Sequence, residues 1–331
     1  MVKVLALCPV PNDGTSWYRG IGPLSRMKRN GDIDFMEAGE GHEIDWDTLL
    51  HFDVLFLQRP FNSFHKQTAI DAITMGLKIW VDFDDLLINI PVENPVHKLY
   101  IDSKAEDNIR KILSSPDILV TCSTSYLASQ YQPMCASKIE VINNALDFDL
   151  LGKCSPYKGS GSTVTWRGGD SHMRDMLEYK TEIADVMRGN MDTVYEFMGY
   201  NPWFITEGSS NALHSEGVRL MSYFQSLQGR IRKAFYVCLS DSHFNRSKSN
   251  IAWLEATWAG AATIAPNWEE WNKPGVITYS NKYEFKNSLD YISKNDFLYL
   301  SWEQSRNYIE QNCSLIKANE KRIKLLKNLI K

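Results

Sequence analysis

The run Ala234-Phe235-Tyr236-Val237-Cys238-Leu239, followed by Ser240-Asp241-Ser242-His243-Phe244-Asn245-Arg246-Ser247-Lys248-Ser249-Asn250 and then Ile251-Ala252-Trp253-Leu254-Glu255-Ala256-Thr257-Trp258-Ala259-Gly260, decides how the chain is read. Its first part is apolar and of strand length. Its middle is polar. Ile251, Leu254, Ala256, Trp258 and Ala259 fit a helix packed on several sides, and Gly260 is a natural stop. Ala261-Ala262-Thr263-Ile264-Ala265 is a second apolar strand, closed by Pro266. Strand, polar loop, helix and strand in this order is the plan of a parallel βαβ unit.

The loop carries charge where the helix begins. Arg246, Lys248 and Ser249 arrive beside the unpaired N–H groups of a helix start, a combination that suits a phosphate or diphosphate. Asn245 and Asn250 in the same loop join the candidate donor-binding set. Glu255 lies about two turns further on, where a carboxylate can accept from ribose hydroxyls. A solvated loop with a salt-bridged helix glutamate has the same spacing, so spacing alone leaves both open.

These residues resemble the donor-binding region of glycosyltransferase family 4, whose fold is GT-B. That family shows two glutamates, the second followed by Ala, a short helix and Gly. Leu254-Glu255-Ala256 and Gly260 match the second half, and Ser247, with seven residues between it and Glu255, stands where the first glutamate belongs. Phe244-Asn245 with Lys248-Ser249 matches a variant of the loop in related enzymes. The resemblance implies an α/β chain with two Rossmann-like domains facing a central cleft. It also implies a nucleotide-sugar as co-substrate, no other cofactor and no catalytic metal.

Composition frames this. The chain has 331 residues, 44% hydrophobic and 23% charged, an ordinary globular balance with room for about two domains. Net charge is −4 without a long basic run, so bulk charge gives nucleic-acid binding no support, although a local basic cleft stays open. Cys8, Cys122, Cys135, Cys154, Cys238 and Cys313 show no CxxC pair and no zinc spacing, so a reduced, cytoplasmic protein is expected. The first eight residues turn polar too quickly for a signal peptide, and no apolar run reaches transmembrane length.

The second half repeats one rhythm. Thr163-Val164-Thr165-Trp166 reads as a strand, and Arg167-Gly168-Gly169-Asp170-Ser171-His172 as a loop before a helix starting near Met173. Paired glycines let backbone approach a phosphate, and Arg167 adds charge. In the family a loop at this place contacts phosphate, which adds His172 to the candidates. Residues 194–198 form the next strand, ending at Gly199 and Tyr200, where Tyr200 can stack on a nucleobase or pack in the turn. Residues 217–227 are helical, with Tyr223, Phe224 and Leu227 at core spacing. A last strand spans 276–279, and helices span 284–292 and 302–330. The final helix has Lys and Arg on one face and reads as a surface helix; in GT-B folds it crosses back to the N-terminal domain.

The first half opens with a strand over 2–9 and the loop Pro11-Asn12-Asp13-Gly14-Thr15-Ser16-Trp17-Tyr18-Arg19-Gly20, before a helix over 22–30. A glycine-bearing loop after the first strand is a common ligand position, which singles out Gly14 and Arg19. Arg19 either faces a phosphate across a cleft or lies on the surface with Trp17 and Tyr18 as core. Further strands span 33–36, 52–57, 77–82, 118–122 and 139–142, with helices over 65–76 and 105–114. The strand at 77–82 runs into Asp82-Phe83-Asp84-Asp85 at the functional edge of a parallel sheet. Crowding should raise at least one of these pKa values, as a general base or acceptor-binding carboxylate needs. Asp84 and Asp85 are the candidates, and Asp82, nearest the strand, is expected to be satisfied by backbone amides. A structural turn is the alternative. His97 is a minor candidate.

Asn143-Asn144-Ala145-Leu146-Asp147 resembles the segment that closes the N-terminal domain in this family. The Gly/Ser/Pro stretch at 155–162 reads as a linker. The expected division is an acceptor-side domain over 1–154, the linker, a nucleotide-sugar domain over 163–302, and a crossing helix over 303–331.

The resemblance thus implies a hexosyltransferase-type enzyme. It would move a sugar from a nucleotide-sugar, UDP-sugar favoured, to an acceptor hydroxyl with retention. Arg167, Lys248 and Arg19 would stabilise the leaving diphosphate, helped by Ser249 and backbone amides. Glu255 would hold ribose, and Asp84 or Asp85 would touch acceptor or sugar. The expected acceptor is a glycan or small molecule. A hydroxymethylated base in phage DNA is the alternative and needs a basic track in the cleft. A non-catalytic, two-lobed nucleotide-sugar-binding protein is the alternative of another class.

Overall fold

The computed structural model describes residues 1–9, 13–38, 44–159, 161–295 and 297–331. Pro11 and Asn12 of the first loop, and Ser160 of the linker stretch, lie outside the described residues.

Two parallel sheets of six strands organise the chain. The first holds β1 (Val2–Leu7), β2 (Ile33–Ala38), β3 (Val54–Gln58), β4 (Lys78–Phe83), β5 (Ile118–Cys122) and β6 (Ile139–Val141), in the order β2-β1-β3-β4-β5-β6. Every residue of β3 and β5 is buried. Helices cover both faces, so these strands read as continuous apolar runs rather than alternating ones. The second sheet holds β7 (Thr163–Gly168), β8 (Val194–Gly199), β9 (Ala212–Ser215), β10 (Ala234–Tyr236), β11 (Ala262–Pro266) and β12 (Val276–Tyr279), in the order β12-β11-β10-β7-β8-β9. Both orders are doubly wound, and strand order reverses between β1 and β3 in the first sheet and between β7 and β10 in the second. Ligands of such sheets bind outside the carboxyl ends of the strands at these switch points.

Three elements differ from expectation. β9 has no apolar run; it is a short edge strand whose Leu213 and His214 are exposed, so no buried pattern marks it. β10 stops at Tyr236, and the Val237 N–H to Ile264 carbonyl bond extends the ladder by one residue. The expected single terminal helix is two, Tyr299–Asn312 and Leu315–Leu329, separated by Cys313 and by Ser314, whose hydroxyl accepts from the Lys317 N–H as an N-cap. The break turns the chain from one domain to the other. The earlier helix buries Trp302 and Ile309 on the second domain, while the later one buries Leu315, Asn319, Arg322 and Leu326. Leu326 packs with Val4, Val54, Phe56 and Trp80 of the first sheet. A purely surface role for the last helix is therefore overturned.

The linker stretch is not free either. Ser155 N–H bonds the Trp258 carbonyl and Lys158 N–H the Gly260 carbonyl, both on the second domain. The organising loop, in turn, reaches back. Phe244 is buried in the first domain's core, Thr124 Oγ1 donates to the Ser247 carbonyl at 3.3 Å, and Tyr126 stacks on His243. Among the described residues no helix is long and apolar enough to cross a membrane.

Candidate active site

Both switch points open onto one cleft of about 610 Å³. The wall from the first domain is built at the ends of β1, β3 and β4. Asp13, Gly14 and Thr15 follow β1, Arg59 follows β3, and Asp84 and Asp85 follow β4. Arg59 sits at φ 50°, a left-handed conformation uncommon outside glycine. Its N–H donates to the Asp82 carbonyl. Its guanidinium grips Asp84 in parallel, Nε to Oδ1 at 2.5 Å and Nη2 to Oδ2 at 2.7 Å. Burial pushes the Asp84 carboxyl above the usual range, Arg59 pulls it back, and Asp85 beside it adds to the rise. Asp85 lies 3.7 Å from both Arg59 Nη2 and Lys248 Nζ, linking the two walls.

The wall from the second domain starts at β7. Arg167, Gly168 and Gly169 line the cleft, and Gly168 pairs with Gly199 of β8. Gly199 has φ +95°, and a Cβ there would meet the Gly168 carbonyl oxygen at 2.3 Å, so neither the turn nor the approach tolerates a side chain. Arg167 Nη2 pairs with Glu255 Oε2 at 2.8 Å. Glu255 is 3% exposed and also accepts from Tyr18 at 3.0 Å on Oε1 and Tyr223 at 2.7 Å on Oε2. Burial and the Glu255 charge hold both phenols well above their ordinary pKa, so they stay donors. Lys248 Nζ lies 4.4 Å from the centre of the Phe244 ring, a cation–π contact, and points into the cleft. His172 bonds Asp175 through Nδ1 at 2.9 Å, and burial with the nearby Lys248 lowers its pKa. Ser249 accepts a bond from Asn144 Nδ2 at 2.8 Å, from the opposite domain.

Gly14, Asp84, Asp85, Arg167, Gly168, Gly169, His172, Gly199, Lys248, Ser249 and Glu255 thus share one cleft although they come from both ends of the chain. Five candidates lie elsewhere. Arg19 is 1% exposed and does not face the cleft. Its guanidinium is saturated by Asp82, at 2.9 and 2.8 Å, by the Ile142 carbonyl at 2.5 Å and by Asn144 Oδ1 at 3.1 Å. Asp82 accordingly uses Arg19 and Thr121 Oγ1, not backbone amides. Asn245 is buried beneath the loop, donating to Asp175 and Ser240. Asn250 is tied to Glu270 through its N–H and its side chain. Tyr200 packs against the second domain's core, its N–H held by the Gly168 carbonyl, because the left-handed turn at Gly199 swings it away. His97 bonds the Ile90 carbonyl outside the cleft.

Sequence reasoning missed Arg59, Tyr18, Tyr223, Asn144 and Asp175. Arg59 had a signal, a charged residue closing a buried parallel strand. Tyr18 and Tyr223 sit at core spacing, and nothing local shows that their hydroxyls meet at Glu255.

No family model matches the chain, and no curated protein matches it. Solved structures do. HepE of Anabaena, in complex with UDP and glucose, superposes with a TM-score of 0.66 at 10% identity, covering 99% of this chain and 100% of that one. Sucrose-phosphate synthase of Thermosynechococcus elongatus gives 0.68 at 9% identity, with 99% of each chain covered. A glycosyltransferase of Rickettsia africae gives 0.65 at 13% identity, with 100% and 99% covered. At these identities the likeness shows the fold: two Rossmann-like domains facing a cleft, the GT-B arrangement.

Proposed function

We propose that the protein is a glycosyltransferase, moving a sugar from a nucleotide-sugar to an acceptor hydroxyl with retention. A UDP-sugar is favoured, since the similar HepE structures hold UDP and UDP-glucose. The observation that carries the reading is one cleft with two chemically distinct walls. Arg167, Lys248 and the Gly168–Gly169 backbone converge beside Glu255 on one wall, and Asp84 and Asp85 stand on the other. The first set suits a diphosphate whose charge grows as the sugar departs. Fixed cations do that work without reorganisation. The second set can accept from a hydroxyl nucleophile. Among the described residues, Asp13, Asp84 and Asp85 give the acceptor wall an acidic character against Arg59, which favours an uncharged glycan or small molecule over DNA. Six free thiols are in keeping with a cytoplasmic setting.

A nucleotide-release assay over UDP-, GDP- and ADP-sugars, with glycan, small-molecule and hydroxymethylated-DNA acceptors, tests this. One donor should turn over. Lys248→Ala should lose at least about tenfold in turnover, since a charge-assisted contact is worth roughly 1.5–3 kcal/mol. The fold should persist, because Lys248 is a loop residue. Full turnover in that variant would refute the assignment, and binding of a nucleotide-sugar without release in any mixture would favour the non-catalytic alternative.

A further inference from the structure

Three partners already hold Glu255. Its Oε1 accepts from the Tyr18 hydroxyl, and its Oε2 accepts from the Tyr223 hydroxyl and faces Arg167 at 2.8 Å. A carboxylate has about four acceptor positions. A ribose offering two neighbouring hydroxyls needs two of them while three are taken, so one present partner must leave. Tyr223 and Arg167 belong to the same domain as Glu255. Tyr18 does not: it comes from the widened, π-helical turn Trp17–Ile21 after β1, and it lines the cleft. Such turns are rare and concentrate at functional sites.

The neighbours of Tyr18 make the same crossing. Trp17 packs with the second domain's core, and Arg19 bonds Asn144, which bonds Ser249 of the donor loop. One turn of helix thus touches the second domain at the carboxylate and, through one intermediary, at the loop.

Resting on the donor reading above, we infer that the Tyr18 hydroxyl holds the place of a ribose hydroxyl on Glu255. A bound nucleotide displaces it, so Tyr18 is a positioning residue that couples donor occupancy to the docking of the first domain. The exchange is between hydrogen bonds of similar kind. Its cost is the phenol left to find a new partner in a site where it is 4% exposed. Removing that hydroxyl while keeping the ring removes the cost. The ring's edge-on contact with Phe224, at 6.4 Å, does not involve the hydroxyl, so Tyr18→Phe should fold.

Calorimetric binding of UDP, GDP and ADP to the parent and to Tyr18→Phe tests the exchange, with the 2′,3′-dideoxy form of whichever diphosphate binds. The variant should bind the ribose form about tenfold more tightly than the parent does. It should bind the dideoxy form with unchanged affinity, because a ligand without hydroxyls has nothing to exchange. Equal affinity for the ribose form in both proteins overturns the exchange while leaving the donor reading intact. Weaker binding by the variant also overturns it, since Tyr18 would then be holding the ligand. Equal tightening for ribose and dideoxy forms overturns it as well, pointing to a general opening of the cleft. Failure of all three diphosphates to bind either protein removes the donor reading itself.

Discussion

Replacing Arg59 by Met strands a charge on the first domain's wall of the cleft. Arg59 and Asp84 meet through two hydrogen bonds at 2.5 and 2.7 Å, with side chains 21% and 12% exposed. Breaking a buried pair by removing one partner costs about 3–5 kcal/mol, chiefly the uncompensated charge left behind. The cleft admits water to both groups, so a loss of about 2–3 kcal/mol at neutral pH is expected. Asp84 fixes the sign of the pH dependence. Burial already raises its carboxyl above 3.8, and loss of the guanidinium raises it further. A carboxyl with a folded pKa above its unfolded one contributes most below the unfolded value. That contribution is lost as pH rises through the folded pKa. The deficit of Arg59→Met should therefore be small near pH 4, about the ordinary aspartate value, and grow toward neutrality. For a domain of this size it corresponds to a fall in Tm of about 5–10 °C. The assay is thermal unfolding followed by circular dichroism across a pH series, with Arg59→Met/Asp84→Asn alongside. The double variant should recover most of the loss, since asparagine removes the stranded charge. A deficit equal at every pH and undiminished in the double variant would refute this account of the wall.

Three further outcomes follow from the same geometry. Asp84→Asn and Asp85→Asn should depress transfer to acceptor more than donor affinity, measured as product formation and calorimetry in parallel; parent-rate transfer in both would make the run a structural turn. In Lys248→Ala the pKa of His172, followed by NMR, should rise, because a neighbouring cation now holds it down; a fall or no change contradicts the placement. Burial raises Glu270 to about 7, so its stabilising contribution is complete below its ordinary 4.5 and is lost as pH rises through about 7. Glu270→Gln should then have a higher Tm than the parent at pH 8 and no advantage at pH 4, and a gain independent of pH would contradict the shift.

The strand–loop–helix–strand unit around Lys248 was legible because its strands are buried on both faces and its helix ends at a glycine with φ +89°. The acidic run at the end of β4 was legible as a cleft feature for Asp84 and Asp85, which follow the buried strand, while Asp82 lies within it and turns to Arg19. Partners across the domain boundary were not legible. Arg19 looked like a phosphate ligand because sequence shows its charge but not Asp82, which lies 63 residues away and takes two of its three guanidinium nitrogens. Tyr18 and Tyr223 looked like core because their rings are core; only their hydroxyls are functional candidates. Asn245 and Asn250 stood in the right loop, yet each turns inward to satisfy a buried carboxylate or a loop carbonyl. The break at Ser314 was hidden by apolar periodicity that continues through it, and only the crossing between domains requires the chain to bend there.

The most direct test of the central claim is a crystal structure of the protein with the nucleoside diphosphate it binds most tightly. The diphosphate should lie against Lys248 Nζ and the Gly168–Gly169 backbone, with the ribose at Glu255 and the acceptor wall of Asp84 and Asp85 left open. A nucleotide seated away from Lys248 and Glu255, or on the first domain's wall alone, would contradict it.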